Sequence, residues 1–391
     1  MNSLSSSFDL ALGKIPRKPE TFAVAAVDLL LRTALTQRVS DIHLVPQADR
    51  TLQMYWRIDG VLTPIARFDE LAANVIARLK VLADLLTYRS DIPQEGRIRT
   101  GSDESEMRVS TFPTIHGEKA VVRLFVASGQ FRFVEDLGFQ APIDLQLRQI
   151  LGQTAGVLII AGPAGAGKTT TLYAGLRTIL RDTDHLRSIC TLEDPVEALI
   201  PGAAQSQVKP GTEFTYQRGL ASLMRQDPNV IMVGEIRDAE TAAIVFQASL
   251  TGQLVLTSFH AGTAAASLSR LGDMGIEPYV IRSGLQSILA QRLLRRCCPC
   301  QQHSNDSAAS DCPNCHGSGY YGRLVLAELL PTDSPELAQA ILTRQSAQVL
   351  EQCAIDGGMQ PLWDAATQAV TDGLTTQLEC HRVLGVARQA Q

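Results

Sequence analysis

The spacing of hydrophobic and polar positions along the 391 residues predicts two kinds of segment. Apolar residues three or four positions apart predict helices, and short segments that alternate or are uniformly apolar predict strands. Helices are expected at residues 22–35, 75–86, 334–350 and 362–370. Strands are expected at residues 40–44, 52–58, 107–111, 120–125, 156–161, 189–192, 230–233 and 254–257.

The order of these elements changes near residues 126–138. Before that point helices and strands are mixed around the turn signal Asp59-Gly60, which favours a small α+β unit. After it, strands alternate with segments long enough for helical crossovers. That alternation is the signature of an α/β fold with a mostly parallel sheet, whose ligands bind at the carboxyl ends of the strands.

Composition narrows the class of protein. Hydrophobic residues make up 45% and charged residues 19% of the chain, as in an ordinary soluble globular protein. A net charge of −5 argues against a general nucleic-acid binder. No apolar run approaches the roughly 20 residues that span a bilayer, and residues 1–20 lack the apolar core of a secretory signal. We therefore expect a cytoplasmic protein with no direct nucleic-acid partner.

One glycine-rich segment follows the apolar strand at 156–161 and precedes Leu172, Leu176, Ile179 and Leu180, which recur at helical spacing. It fits the phosphate-loop template, in which glycines let backbone amides face a phosphate and the lysine reaches the β/γ-phosphates. The threonine after the lysine would ligate Mg²⁺. The alternative is a chance glycine-rich turn. The predicted nucleotide contacts are Gly162, Pro163, Ala164, Gly165, Ala166, Gly167, Lys168, Thr169 and Thr170.

Acidic residues stand where the strand at 189–192 ends. Glu193, Asp194 and Glu197 surround Pro195 there. The alternative is a helix cap or a solvated loop. Their place at the predicted ligand edge of the sheet favours a role in the nucleotide site.

Two further strands end in residues that can act on a phosphate. Glu235 follows the strand at 230–233 after Gly234, which stands where many phosphate-loop enzymes carry a metal-binding Asp. A glutamate there can position or deprotonate water while Thr169 holds the metal. His260 follows the strand at 254–257. A lone histidine is commonly structural, but this position favours a donor that senses the γ-phosphate.

Two arginines lie on predicted strands of the first domain among apolar neighbours. Arg108 and Arg123 are either solvated strand residues or contacts to a transferred phosphoryl group. An arginine can neutralise charge on such a group, often from a neighbouring subunit. The sequence alone leaves both interpretations open.

Four cysteines form two Cys-x-x-Cys pairs, Cys297 with Cys300 and Cys312 with Cys315. Four thiolates suit a closed tetrahedral zinc site, which has no open position for catalysis. Free cysteines are the alternative. The identity of the ligands is left open, since Cys298, His303 or His316 could replace one of the four.

Many segments in one order resemble the secretion ATPases of the type II secretion and type IV pilus assembly class. The resemblance covers nearly the whole chain from about Val24. The segments that carry it are Ser40-Asp41-Ile42-His43, Arg57-Ile58-Asp59-Gly60, Arg108-Val109-Ser110-Thr111, Gly117-Glu118-Lys119, the phosphate loop extended to Tyr173, Glu193-Asp194-Pro195-Val196-Glu197, Arg225-Gln226-Asp227-Pro228, Gly234-Glu235-Ile236-Arg237-Asp238, Thr251-Gly252, His260 and the tetracysteine element.

The resemblance implies a RecA-like ATPase domain, preceded by a smaller PAS-like α+β domain and followed by a zinc element and C-terminal helices. It implies a homo-hexamer that uses ATP, Mg²⁺ and Zn²⁺ at the cytoplasmic side of the inner membrane. The implied partners are a membrane platform protein and the cytoplasmic domain of a secretion or pilus membrane protein. The corresponding ranges are 1–20 (flexible leader), 21–130, 131–290, 291–330 and 331–391.

The resemblance also assigns roles to residues. Glu197 is the candidate for water activation and Glu235 for the metal side, although the sequence does not decide between them. By this resemblance His260 is the His-box residue, and Arg108, Arg123 and Arg225 are candidate arginine contacts. Many members have a further N-terminal recruiting domain, which we expect to be absent here.

Two other functions stay open. One is a retraction-type or DNA-uptake pilus motor, which would share the ATPase core; such motors lack the tetracysteine element, so the cysteines favour assembly. The other is a scaffold that binds ATP without hydrolysing it, against which Glu197 and Glu235 argue.

Overall fold

The structure is a computed structural model that describes residues 3–69, 72–99, 105–126, 131–209, 211–303, 312–330, 332 and 334–386. The chain divides into two compact units. One comprises residues 1–127 and 295–323, and the other residues 128–294 and 324–391. No helix in the described ranges is both long and apolar enough to cross a membrane.

The strands belong to two sheets. They are β1 Val39–Pro46, β2 Leu52–Ile58, β3 Val61–Phe68, β4 Gln94–Arg99, β5 Ser105–Thr114, β6 Gly117–Val126, β7 Gly156–Ala161, β8 Ile189–Glu193, β9 Ala203–Gln207, β10 Val230–Val233, β11 Leu254–Phe259, β12 Leu285–Cys297 and β13 Tyr320–Leu329.

The helices are α1 Ser3–Gly13, α2 Pro19–Thr36, α3 Ala72–Leu82, α4 Ala141–Leu151, α5 Lys168–Asp182, α6 Tyr216–Leu223, α7 Ala239–Leu250, α8 Ala264–Asp273, α9 Pro278–Gly284, α10 Pro335–Leu342, α11 Ala347–Asp356, α12 Leu362–Thr371 and α13 Gln377–Leu384. Short 3₁₀ turns lie at Val134–Leu137 and Pro299–His303.

The first unit is built on an antiparallel sheet with the order β3-β2-β1-β6-β5-β4 among the described residues. Alternate residues of its strands point into a core with α2 and α3, and the core is centred on Trp56, which is fully buried. This is the α+β unit that the alternating pattern predicts. Its range differs, because residues 295–323 belong to the same compact unit.

The expected flexible leader is wrong for its described part. Residues 3–13 form α1, whose Leu4 and Phe8 are buried in the core of the first unit. The Phe8 ring meets the Trp56 ring edge to face, with centroids 5.4 Å apart. Burial of this aromatic ring, together with Leu4, stabilises the packing of α1 in the core.

The second unit contains the predicted parallel sheet. Its order is β13-β12-β7-β11-β10-β8-β9, and the pairs from β12 to β9 are parallel. Alternate residues of β7 enter two different cores, with Ile159 on one face and Ile160 on the other. Burial on both faces explains why these strands are uniformly apolar in sequence.

The helix expected at 334–350 is interrupted. It forms as α10 and α11, separated by a turn in which Arg344 has a φ of 52°. Ser346 starts α11 by accepting a hydrogen bond from the amide of Val349. The apolar spacing continues across the break, which is why periodicity alone predicts one helix.

Candidate active site

The phosphate loop lies in the middle of the parallel sheet, between β7 and α5. β11 flanks β7 on one side and β12 on the other, and β10 and β8 follow beyond β11. In the β7–β11 register, Ala161 pairs with Phe259. The residues after β8, β10 and β11 therefore emerge at the same sheet edge as the loop, as expected for parallel strands.

Glycine is required at two positions of the loop. Gly167 directly precedes α5 with a φ of 88°, a left-handed conformation that side chains disfavour. A Cβ on Gly162 would lie 2.8 Å from both the Cβ of Ala166 and the carbonyl oxygen of Gln291. The loop can therefore keep its backbone amides at the start of α5, where a phosphate is favoured.

Lys168 is buried at the first residue of α5. Its Nζ donates hydrogen bonds to the carbonyl oxygens of Gly162, at 2.9 Å, and Pro163, at 3.0 Å. Burial lowers the pKa of Lys168, and the charge of Glu235 opposes that shift. The next residue, Thr169, is half-buried, and Pro163, Ala164, Gly165 and Thr170 are exposed.

Gln291 on β12 supports the loop from the other side, and the sequence analysis missed it. Its Nε2 donates to the carbonyl oxygen of Ala166 at 2.7 Å, and its Oε1 accepts from the hydroxyl of Thr171 at 2.9 Å. The side chain is only 1% exposed. A polar residue after the apolar run 288–290 is the signal that could have identified it.

Glu235 and His260 meet, as their strand-end positions predict. The Nε2 of His260 lies 3.1 Å from Oε2 of Glu235. Arg237 also pairs with Glu235 and lies 3.4 Å from Oδ2 of Asp194. The structure thus joins the segments after β8, β10 and β11 in one charged cluster, of which Arg237 was not predicted.

Glu193 has a different place from the one predicted. It is 3% exposed and accepts hydrogen bonds from the hydroxyls of Tyr173 and Thr191 and from Nε2 of Gln205. All three donors belong to the protein, so its carboxylate is a buried acceptor rather than a group directed at a ligand. Strand alternation is the reason: Glu193 is the last residue of β8 and its side chain points into the protein, towards Tyr173.

Tyr173 extends this network to Glu197. Its hydroxyl oxygen accepts hydrogen bonds from the amides of Glu197, at 3.1 Å, and Ala198, at 3.4 Å. Burial and the charge of Glu193 raise the pKa of Tyr173, so the phenol stays protonated. The side chain of Glu197 is exposed at the end of this support. Arg225 is likewise exposed, in the turn after α6.

Arg108 and Arg123 lie side by side on neighbouring strands of the first unit. The same register places Arg97 beside Arg108, and Asp41 between Arg123 and Arg57. Nε of Arg123 donates to Asp41 at 2.9 Å, and that arginine is 60% exposed. These residues form a row across the sheet, called the arginine row below. In order along it they are Arg97, Arg108, Arg123, Asp41 and Arg57.

Four cysteines form a cluster, and three of them are members of the two predicted Cys-x-x-Cys pairs. The sulfur atoms of Cys298, Cys300, Cys312 and Cys315 all lie within 4.8 Å of one another. Cys298 takes the place in the cluster that the spacing predicts for Cys297, because Cys297 is the last residue of β12 and the chain turns after it. Cys298 is fully buried in that turn, where its amide donates to the carbonyl oxygen of Gly319 at 2.8 Å.

The four cysteines fit a structural metal. The Sγ atoms of Cys298 and Cys312 are 3.8 Å apart, and those of Cys300 and Cys315 are 3.6 Å apart. The amides of Cys315 and Asn314 donate to the Cys312 thiolate and lower its pKa to about 6. Such a donor set suits zinc. His316 lies outside the cluster, and the side chain of His303 and residues 304–311 lie outside the described residues.

The turn after the cluster is tied to the sheet of its own unit. Oδ2 of Asp59 accepts from the amide of Gly322 at 3.0 Å and from Nη2 of Arg38 at 3.1 Å. The Arg38 guanidinium lies 3.7 Å from the centre of the Tyr321 ring. A cation above a ring is favourable, so the turn has both polar and stacking contacts.

Comparisons with known proteins place the chain in a family of secretion proteins. A family model described as "Type II/IV secretion system protein" matches residues 18–382. The chain is 38% identical to the "Putative type II secretion system protein E" of Escherichia coli K12, over 94% of this chain and 78% of that protein. It is also 38% identical to the "Type II secretion system ATPase E" of Vibrio cholerae, over 92% of this chain and 75% of that protein.

A solved structure agrees with the fold. The X-ray structure of the ATPase DotB from Yersinia pseudotuberculosis has a TM-score of 0.70 and 21% identity, and the match covers 92% of this chain and 93% of that chain. The family model spans most of the residues described above and includes the phosphate loop, the strand-end residues and the cysteine cluster. The chain belongs to the type II/IV secretion system protein family.

Proposed function

We propose that the chain is the ATP-hydrolysing motor subunit that powers assembly of a type II secretion pseudopilus or a type IV pilus. The observation that carries this proposal is the meeting of the Glu235–His260 pair with the phosphate loop at one edge of the parallel sheet. A loop alone supports phosphate binding, whereas an acid and a donor beside it support hydrolysis.

ATP would be held by the loop amides and by Lys168, and Mg²⁺ by Thr169 and the β/γ-phosphates. The metal would neutralise charge that develops on the phosphates. Glu197 is the proposed water-activating base, because its side chain is exposed while Tyr173 holds its backbone. Glu235 is proposed to act on the metal side, where it also reaches His260.

We assign the γ-phosphate sensor role to His260. A phosphate that contacts the imidazole would change the contact between His260 and Glu235. Because the two residues follow adjacent parallel strands, that change would reach both strand ends. Asp194 would act indirectly, through Arg237. Arg237 could also neutralise phosphate charge once it leaves Glu235.

The motor is proposed to be a homo-hexamer in which the arginine row of one subunit completes the site of its neighbour. Arg108 and Arg123 would face the phosphates, and Arg225 is a further exposed candidate. An arginine supplied in this way stabilises transition-state charge. The unit that carries the row is proposed to be PAS-like, and the catalytic unit RecA-like.

The tetracysteine element is proposed to hold one zinc ion in a structural role, since four thiolates leave no open coordination position. The protein would act from the cytoplasm, peripheral to the inner membrane, on a platform protein and the cytoplasmic domain of a membrane protein of the system. The cysteine cluster favours assembly over the retraction or DNA-uptake alternative.

Two measurements test the proposal. Purified protein should release phosphate from ATP in the presence of Mg²⁺, and nucleotide binding without phosphate release would support the scaffold alternative. Deletion of the gene should abolish surface filaments or secretion. An excess of filaments would instead identify a retraction motor.

A further inference from the structure

Glu328 is a buried acid that none of the roles above uses. It lies on β13 with 1% of its surface exposed. Oε1 accepts a hydrogen bond from the amide of Ala264 at 2.7 Å, and Oε2 accepts one from the amide of Leu362 at 3.1 Å. Ala264 and Leu362 are the first residues of α8 and α12. One carboxylate therefore joins the starts of two helices that are far apart in sequence.

A carboxylate buried this deeply is costly unless it is fully hydrogen-bonded. Two charge-assisted bonds and the positive ends of two helix dipoles supply that compensation here. Burial still raises the pKa of Glu328, and the two amides oppose the rise. The arrangement is stable only while both helix starts stay in place.

Ordinary capping does not account for this residue. α8 has its own cap, because the hydroxyl of Thr263 accepts from the amide of Ala266. α12 begins after Pro361, which offers no side-chain cap. Glu328 thus supplies α12 with an acceptor that its own sequence lacks, and fixes that helix to the start of α8.

The start of α8 is also the end of the His260 turn. Three hydrogen bonds hold the turn of residues 260–263 and the first residue of α8. Arg270 donates to the carbonyl oxygen of His260, and Arg292 donates to the carbonyl oxygen of Gly262 at 2.6 Å. Glu328 accepts the third, from the amide of Ala264. Arg292 follows Gln291, which contacts the phosphate loop at Ala166. A continuous set of contacts therefore runs from the loop and the His260 turn to α12.

We propose that Glu328 is a positioning residue for ATP hydrolysis, which couples the His260 turn to the C-terminal helix α12. The proposal rests on the proposed function, because it takes the phosphate loop and His260 as the hydrolytic site. A displacement of the turn on contact with the γ-phosphate moves the start of α8, and Glu328 transmits that movement to α12. Conversely, an α12 held by a partner fixes His260 in one position.

The test combines Glu328→Gln with the control Glu379→Gln in the full chain. Glutamine keeps the shape of Glu328 but accepts with only one oxygen. One of the hydrogen bonds to the amides of Ala264 and Leu362 is therefore lost. Glu379 is also fully buried in the C-terminal region, where it pairs with Arg382 within α13. Hydrogen exchange is measured with and without Mg²⁺ and ATPγS, and kcat and KM for ATP are measured in parallel.

In the wild type, nucleotide binding should change the rate of amide hydrogen exchange both in the phosphate loop and at residues 362–371. E328Q should keep the change in the loop and lose it at 362–371. Its kcat should fall about tenfold to a hundredfold, the range for a misplaced catalytic geometry, with KM nearly unchanged. E379Q should keep both the wild-type kcat and the exchange response.

Two outcomes overturn the proposal: exchange at 362–371 that does not respond to nucleotide in the wild type, or equal losses of kcat in E328Q and E379Q. If E328Q does not fold, the wild-type exchange decides alone. A wild type that binds nucleotide but releases no phosphate contradicts the proposed function, while the exchange response still tests the coupling.

Discussion

Nε2 of His260 and Oε2 of Glu235 are 3.1 Å apart, which joins the segments that follow two adjacent parallel strands. A contact at this distance couples the two side chains, so a movement of one changes the surroundings of the other. Under the proposed function, a change at the phosphate end of the site would therefore affect both strand ends. In that mechanism the pair links nucleotide binding to hydrolysis.

Replacement of Lys168 by alanine should abolish turnover. The ammonium is the cation of the phosphate loop, and removal of one such preorganised donor costs about a hundredfold or more in rate. Phosphate release from ATP measures the effect, and circular dichroism checks the fold. Lys209→Ala is the control, because that lysine is exposed in the same unit. Equal loss in both variants would contradict the assignment.

Glu197→Gln and Glu235→Gln should separate the two proposed acids. If Glu197 activates water, E197Q should lower kcat by about a hundredfold or more while nucleotide still binds. E235Q should instead raise the Mg²⁺ concentration needed for half-maximal turnover. Glu213→Gln, at an acid whose side chain is 89% exposed, should leave both quantities unchanged. The reverse pattern in the first two variants would exchange their roles.

The cysteine cluster predicts which thiols bind metal. Purified protein should contain about one zinc per chain. Cys298→Ser should remove it, because Cys298 lies in the cluster, and Cys297→Ser should retain it. Elemental analysis of both variants measures the difference. Loss of zinc from C297S with retention in C298S would restore the ligand set expected from Cys-x-x-Cys spacing.

Lys80 and Glu118 form a buried ion pair in the first unit. Nζ of Lys80 lies 2.8 Å from Oε1 of Glu118 and 2.7 Å from the carbonyl oxygen of Arg89, and Lys80 is 1% exposed. Lys80→Met leaves the acid without its partner, so it should reduce the free energy of unfolding of this unit by about 3 kcal/mol.

A urea titration followed at Trp56 measures that change. Arg67→Met removes one partner of the exposed pair with Asp49 and should cost less than about 1 kcal/mol. Similar losses in the two variants would mean that the Lys80 pair contributes no more than a surface contact.

The sequence predicts the parts of the fold and site that depend on local pattern. β7 and the phosphate loop are readable because a buried parallel strand is uniformly apolar and the loop has a fixed spacing of glycines. Glu235 and His260 can be predicted because they follow such strands, His260 directly and Glu235 after Gly234. The topology of parallel strands then brings them to one edge.

Contacts between segments that are distant in sequence cannot be predicted from local pattern. Gln291 touches Ala166 across 125 positions, and nothing in either neighbourhood specifies the other. An acid at a strand end predicts that Glu193 contacts the ligand, but the pleat turns its side chain inward to Tyr173. The Cys-x-x-Cys spacing favours Cys297 over Cys298, although the turn after β12 decides which sulfur enters the cluster.

Gly234 separates β10 from Glu235, and its surroundings leave little room for a side chain. A Cβ at position 234 would lie 3.0 Å from the hydroxyl of Tyr216, tighter than nearly all real contacts of that kind. A side chain at position 234 would therefore require Tyr216 to shift by a few tenths of an ångström. The residue that position 234 can accept thus depends on the size and placement of the side chain at position 216.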